Sequence, residues 1–145
     1  MKRCRVRRFR AMTYDMLDGV VVNLAYTELL KVAVGRERPN GENNKSFPSG
    51  HTSNSFTLAA VAERHYGWKV GVPAYTLASV VGASRIQQDK HYLSDVVGGA
   101  TLGYIVGRTT VRVNSRPPGA SHRARIEVAP LLGRGTRGAR VFVAF

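Results

Sequence analysis

A histidine and a carboxylate four residues apart, His91 and Asp95 in the stretch Ser84 to Asp95 (SRIQQDKHYLSD), share one face of any helix that begins near Lys90. That is the geometry of an oriented nucleophile. An imidazole attacks through one ring nitrogen when an acceptor holds the other, and a carboxylate one turn on can be that acceptor. The same pair, taken alone, also reads as a surface hydrogen bond. In the segment KVAVGRERP, Lys31 and Arg38 stand seven apart just before Pro39, which is expected to end the helix. The segment FPSGH follows, with Pro48 suited to a first helical turn and Ser49 and Gly50 leaving backbone N–H groups uncovered, so that an anion is attracted and His51 stands at its rim. Each of these also has a plain reading, as a helix-end cation, an ordinary turn or a helix-start residue.

Taken as an ordered set, Lys31, Arg38-Pro39, Pro48-Ser49-Gly50-His51, Ser84-Arg85, His91 and Asp95 closely resemble the three-part motif of the type 2 phosphatidic acid phosphatase and vanadium haloperoxidase superfamily. Every motif position is filled, and the resemblance covers roughly residues 14 to 112. It implies that His91 attacks phosphorus and becomes phosphohistidine, that Asp95 orients it, and that His51 protonates the leaving oxygen and then activates water. It further implies that Lys31, Arg38 and Arg85, with Ser49 and the Gly50 N–H, surround the phosphoryl oxygens. Phosphoryl transfer is mainly positioning and charge stabilisation, which three fixed cations and helix N–H donors can supply without a cofactor or an obligatory metal. The implied substrate is a phosphorylated small molecule or lipid, and the implied location is the cell envelope, membrane-associated or periplasmic.

The chain has 145 residues and a net charge of +13. Residues 1 to 12 hold six bases and no acid, residues 113 to 145 six Arg and one Glu, and residues 13 to 112 ten bases against eight acids. The charge therefore sits in the tails around a near-neutral centre. A nucleic-acid binder would carry a stripe on its folded domain, so this distribution argues against that class; the tails suit anionic lipid headgroups or plain solvation. Cys4 is the single cysteine, which leaves no intramolecular disulfide and no thiolate metal cluster. The positive start of a signal peptide is present without the apolar stretch and small-residue cleavage site that should follow. Val70 to Ala83 and Val96 to Val106 are apolar but short for a membrane span, and the mean hydropathy is −0.18.

The elements that must position these residues read as an all-α set of about four helices, and the resemblance implies a bundle with its active site at the helix ends, a partial version of the family's fold. A basic segment (1–13) precedes a phosphatase-like helical domain (14–112), and a linker with an Arg-rich tail or hairpin (113–145) follows. The first helix is expected over Tyr14 to Val34, with Leu17, Val21 and Leu24 on the inner face that carries Lys31 inward. The second runs from the Pro-Ser-Gly turn to about His65, which reads as an ordinary helix-end histidine. The third runs from about Val72, with Pro73 in its first turn, to Ile86, and the fourth from His91 to about Val111 with Gly98, Gly99, Ala100 and Gly103 as a tight packing face. Ile126 to Leu132 and Ala139 to Phe145 fit a short β-hairpin better than a further helix.

The resemblance also implies further helices before the one bearing the first motif, where here thirteen residues precede Tyr14. A fragment, a minimal variant and a protomer covered by a second copy all fit that difference, and an inactive truncated protein is one outcome. Vanadate-dependent halide oxidation uses the same cradle, but the chain lacks a haloperoxidase's large surrounding scaffold, which favours the phosphatase branch.

Overall fold

A computed structural model of the chain describes residues 2–115, 125–133 and 136–144. Its first unit holds four helices, α1 (Lys2–Val34), α2 (Gly50–Tyr66), α3 (Trp68–Gln87) and α4 (Leu93–Asn114). In the second unit β1 (Arg125–Gly133) and β2 (Thr136–Ala144) pair antiparallel, with Val128 opposite Val141. The expected linker, apart from Asn114 and Ser115 at its start, lies outside the described residues.

The helix starts differ from expectation, whereas α1 ends at Val34 as expected, though not at the proline. The helix expected at Tyr14 begins at Lys2, so the basic N-terminal segment is the opening of α1. Pro39 does not stop it; Gly35 does, four residues sooner, in the left-handed conformation at φ 57° with its N–H bonded to the Lys31 carbonyl at 3.0 Å. Pro48 precedes the helix because Ser49 is the N-cap of α2, and Pro73 lies inside α3, which starts at Trp68. Gly67, at φ 82°, joins α2 to α3 alone.

The larger difference concerns which faces are buried. Leu17, Val21 and Leu24 are exposed, and the buried stripe of α1 is Asp15, Gly19, Asn23 and Thr27, which leads at the same i, i+4 spacing to Lys31. Lys31 does turn inward, carried by the small and polar face. α2 packs against each of the other helices, and its centre of Thr52, Ser53, Thr57, Ala59, Ala60 and Val61 is buried. Among fully buried side chains the largest are Val61, Asn23 and Thr27. Asn23 donates to Asn54 Oδ1 at 2.6 Å and accepts from Ser53 Oγ at 2.6 Å, so the buried amide is satisfied where it crosses from α1 to α2.

Small residues make this interior possible. Gly99, Gly103 and Gly107 lie one turn apart on α4 against the carbonyls of Ser49, Ser53 and Thr57, one turn apart on α2, and a Cβ at any of the three would overlap the carbonyl oxygen. The two backbones approach as they do in GxxxG pairs, where closeness replaces bulky side chains. Large apolar residues face outward instead, among them Val32 at 76 % exposure, Trp68 at 70 % and Leu77 at 68 %.

Candidate active site

The motif set is spread over the C-terminal ends of α1 and α3, the N-terminal ends of α2 and α4, and the loops that lead into α2 and α4. Lys31 occupies the last turn of α1, and its Nζ lies 3.6 Å from where a Cβ on Gly50 would stand, at the opening of α2. It is 2.6 Å from Glu28 Oε1, a partner one turn back on the same helix that supplies the anion an inward lysine requires. Arg38 follows on the loop between α1 and α2, and Arg85 on the last turn of α3. Arg38 Nη1 donates to Glu42 Oε2 at 3.1 Å, yet the Nε atoms of both Arg38 and Arg85 are buried with no acceptor. Buried guanidinium donors without partners are costly, and an oxyanion bound between them would supply what is missing.

α2 opens toward the same space. Ser49 caps it with no side-chain bond to a backbone N–H, its Oγ accepting from Thr52 Oγ1 at 3.0 Å, and the first N–H groups of any helix have no intrahelical acceptor. Ser49 itself is fully buried, and its N–H is committed to the Asp95 carbonyl at 3.0 Å. The amides left without an acceptor at the opening of α2 are therefore Gly50, His51 and Thr52, and the expected Ser49 N–H is not among them. His51 is exposed at the rim. Partial burial, followed by the fields of Arg85, Lys31, Arg38 and Lys90, pushes its imidazole below the ordinary 6.5. Arg85, Lys31 and Arg38 are thus the motif cations whose fields reach His51.

His91 sits in the turn before α4, two residues ahead of Leu93, so it does not share a helix face with Asp95. Its ring is buried, and Nδ1 is 2.7 Å from the Ser46 carbonyl oxygen. A carbonyl can only accept, so Nδ1 carries the proton and Nε2 keeps its lone pair. Burial pushes the imidazole below 6.5; the Ser46 bond and Asp95 oppose that, and Arg38 and Lys31 reinforce it. Asp95 is 3.8 Å from Nδ1, beyond hydrogen-bond length, so the expected direct contact is replaced by the backbone of Ser46.

Asp95 is fully buried as the third residue of α4. It accepts from Arg36 Nη1 at 2.8 Å, from the Tyr92 N–H at 2.9 Å and from Ser46 Oγ. Sequence reasoning missed Arg36 and Ser46. The one signal for Arg36 was a third base in the short run from Lys31 to Arg38; Ser46 gave none, since its part depends on a loop closing onto a turn 45 residues away. His65, in the last turn of α2, bonds Asp15 Oδ2 at 2.7 Å on the middle of α1, a structural role away from the cradle.

A neutral imidazole with a free Nε2, beside three cations and open helix amides, is equipped for nucleophilic attack at an oxyanionic centre such as phosphorus. Comparison with known proteins gives the class: the model of the PAP2 superfamily matches residues 14–117, and the chain belongs to that superfamily. It is 42 % identical over 80 residues to the lipid A 1-phosphatase of Porphyromonas gingivalis, a match that covers 53 % of this chain and 18 % of the relative. It is 29 % identical over 110 residues to phosphatidylglycerophosphatase B of Bacillus subtilis, covering 61 % and 54 %. The crystal structure of a transmembrane PAP2-type phosphatidylglycerolphosphate phosphatase from Bacillus subtilis superposes with a TM-score of 0.62 at 26 % identity, covering 73 % of this chain and 60 % of that one. The chain thus spans about half or less of the length of these curated relatives.

Proposed function

We propose that this chain is a phosphatase that hydrolyses phosphomonoesters or pyrophosphates of lipids through a phosphohistidine intermediate. The observation that carries the reading is the His91 ring, pinned at Nδ1 to the Ser46 carbonyl with the nucleophilic nitrogen free. Lys31, Arg38 and Arg85 with the Gly50 and His51 amides hold the phosphoryl oxygens, and Nε2 of His91 attacks phosphorus in line. The P–O bond to the leaving group breaks as His51 gives that oxygen a proton. His51, now neutral, takes a proton from water, whose oxygen attacks phosphorus, breaks the P–N bond and releases phosphate. Each charge that develops on phosphorus meets a cation already in place, and such preorganised stabilisation is what phosphoryl transfer chiefly needs.

A lipid substrate is supported by the relatives, whose names describe lipid phosphatases, and by the outer surface of the helical unit. Leu17, Val21, Leu29 and Val32 on α1, Leu77 and Val80 on α3, and Val97 and Ile105 on α4 all stand in the open. Apolar surface on this scale marks contact with lipid or with an apolar partner. Among the described residues no helix is long and apolar enough to cross a membrane. We read the protein as membrane-associated at the cell envelope, with a second copy as a further means of covering these faces.

The test is a panel of phosphate esters, lipid and soluble, assayed with and without detergent, with His91→Ala beside the parent protein. The parent should release phosphate, best from lipid phosphates in mixed micelles, and His91→Ala should lose all turnover while staying folded. Phosphatase activity undiminished in His91→Ala would refute the reading. Bromide oxidation by vanadate and peroxide without phosphatase turnover would move the chain to the haloperoxidase branch, and activity lost to EDTA and restored only by magnesium would require a metal.

A further inference from the structure

The carboxylate of Asp95 does not reach the His91 ring, yet it is enclosed by three donors and fully buried. Arg36 explains that arrangement. Its Nη1 bonds Asp95 Oδ1 at 2.8 Å and Ser94 Oγ at 2.7 Å, and its guanidinium carbon stands 4.2 Å from the centre of the Tyr92 ring. Its backbone carbonyl also accepts the Ser46 N–H at 2.9 Å. Arg36 therefore grips the Ser46 loop through its main chain and the Tyr92–Asp95 turn through its side chain. His91 hangs between the two.

We infer that Arg36 is a positioning residue, which sets the His91 ring through Asp95 and Ser46 and does not itself bind the phosphoryl group. The inference rests on the phosphatase reading above and concerns how its nucleophile is held. Arg36 and His91 are the charged or titratable side chains seen to face Asp95, and only Arg36 lies within bonding distance. A buried carboxylate stripped of its one cation favours its protonated form. Protonated at Oδ1, where Arg36 donated, the group is neutral and a weaker acceptor at Oδ2 for Ser46 Oγ and the Tyr92 N–H, and a loosened Ser46 carries away the carbonyl that fixes Nδ1. Cradle cations would act differently, since losing one weakens anion binding and turnover together.

Arg36→Gln and Arg36→Lys should be assayed on one soluble phosphate ester across pH, with inorganic phosphate as the competing anion and thermal unfolding as the check on fold. Gln should lower kcat about ten- to hundred-fold, the scale of a small misplacement of a reacting group, and should move the acid limb of kcat to higher pH. The phosphate inhibition constant should stay within about twofold, because uniform anion binding is untouched. Lys, which keeps the charge but not the planar guanidinium over the Tyr92 ring, should recover part of kcat and most of the acid limb. If Gln does not fold, the Lys variant carries the same comparison. An unchanged kcat, a loss with no movement of the acid limb, or a phosphate constant that worsens in step with kcat would each overturn the inference. In all three cases inactive His91→Ala would leave the phosphatase reading standing, whereas active His91→Ala would remove that reading itself.

Discussion

The two histidines of the site are asked to do opposite things from the same side of neutrality. Both are pushed below 6.5, His91 by burial first and His51 by burial and then by Arg85. For His91 this is an advantage, since a neutral ring attacks. His51 must carry a proton to act as an acid, and a lowered value means that the free protein holds that proton only in acid. The alkaline limb of kcat/KM for alkyl phosphates should therefore fall below pH 6.5, and the limb of kcat should lie higher, because bound phosphate offsets the cations that depress His51. His51→Ala should cost on the order of 10²–10⁴-fold on alkyl phosphates and far less on aryl phosphates, whose leaving groups need little protonation. Equal losses on both substrates would remove the acid role. At this scale the sequence was readable where residue types in a fixed order define chemistry, as with Lys31, Arg38, His51, Arg85 and His91. It was silent on Ser46, whose working group is a backbone carbonyl that any residue has.

Among elements, the contact that matters most is the seam between α2 and α4. Gly99 meets the Ser49 carbonyl, and the same end of the seam carries the bond from the Ser49 N–H to the Asp95 carbonyl, so helix packing and site geometry are one structure. Gly103→Ala would put a methyl group into the Ser53 carbonyl and push the helices apart. It should destabilise the protein by about 1–3 kcal/mol, read as a lowered denaturation midpoint, and lower kcat as well. Thr101→Ala, on the exposed side of α4, should stay within about 0.5 kcal/mol. A tolerated Gly103→Ala would mean the seam is looser than these distances describe. The glycine run was legible as a packing region only in part: Gly99 and Gly103 face α2 as expected, Gly98 meets Phe47 instead, and Gly107 was missed. The starts of α1 and α4 were not legible: continuous helix propensity hid the first, and the second turns on Tyr92 taking the cap position, which leaves His91 outside.

For the whole molecule, the expectation that apolar means inside failed on α1 in an instructive way. Leu17, Val21 and Leu24 form a good amphipathic stripe, but the competing stripe of Asp15, Gly19, Asn23 and Thr27 is the one that fits against the Ser53 and Thr57 face of α2. Where the surroundings are apolar, large side chains gain little by turning inward, and small polar residues that pack closely and bond across helices take the interior instead. The resulting unit has a polar, closely packed centre, an apolar outer surface and a cationic site at one end. On the function proposed above, a lipid phosphate would match that division, with its chains against the sides and its headgroup at the helix ends.

The central claim, attack by Nε2 of His91, is tested most directly by trapping the intermediate. Protein mixed with radiolabelled substrate and quenched in alkali, where phosphohistidine survives, should carry label on the peptide containing His91, attached at Nε2, because Nδ1 is held by Ser46. The label should disappear on a chase with unlabelled substrate and be absent from His91→Ala. A protein that turns over substrate without label on His91, or with label only at Nδ1, would contradict the account.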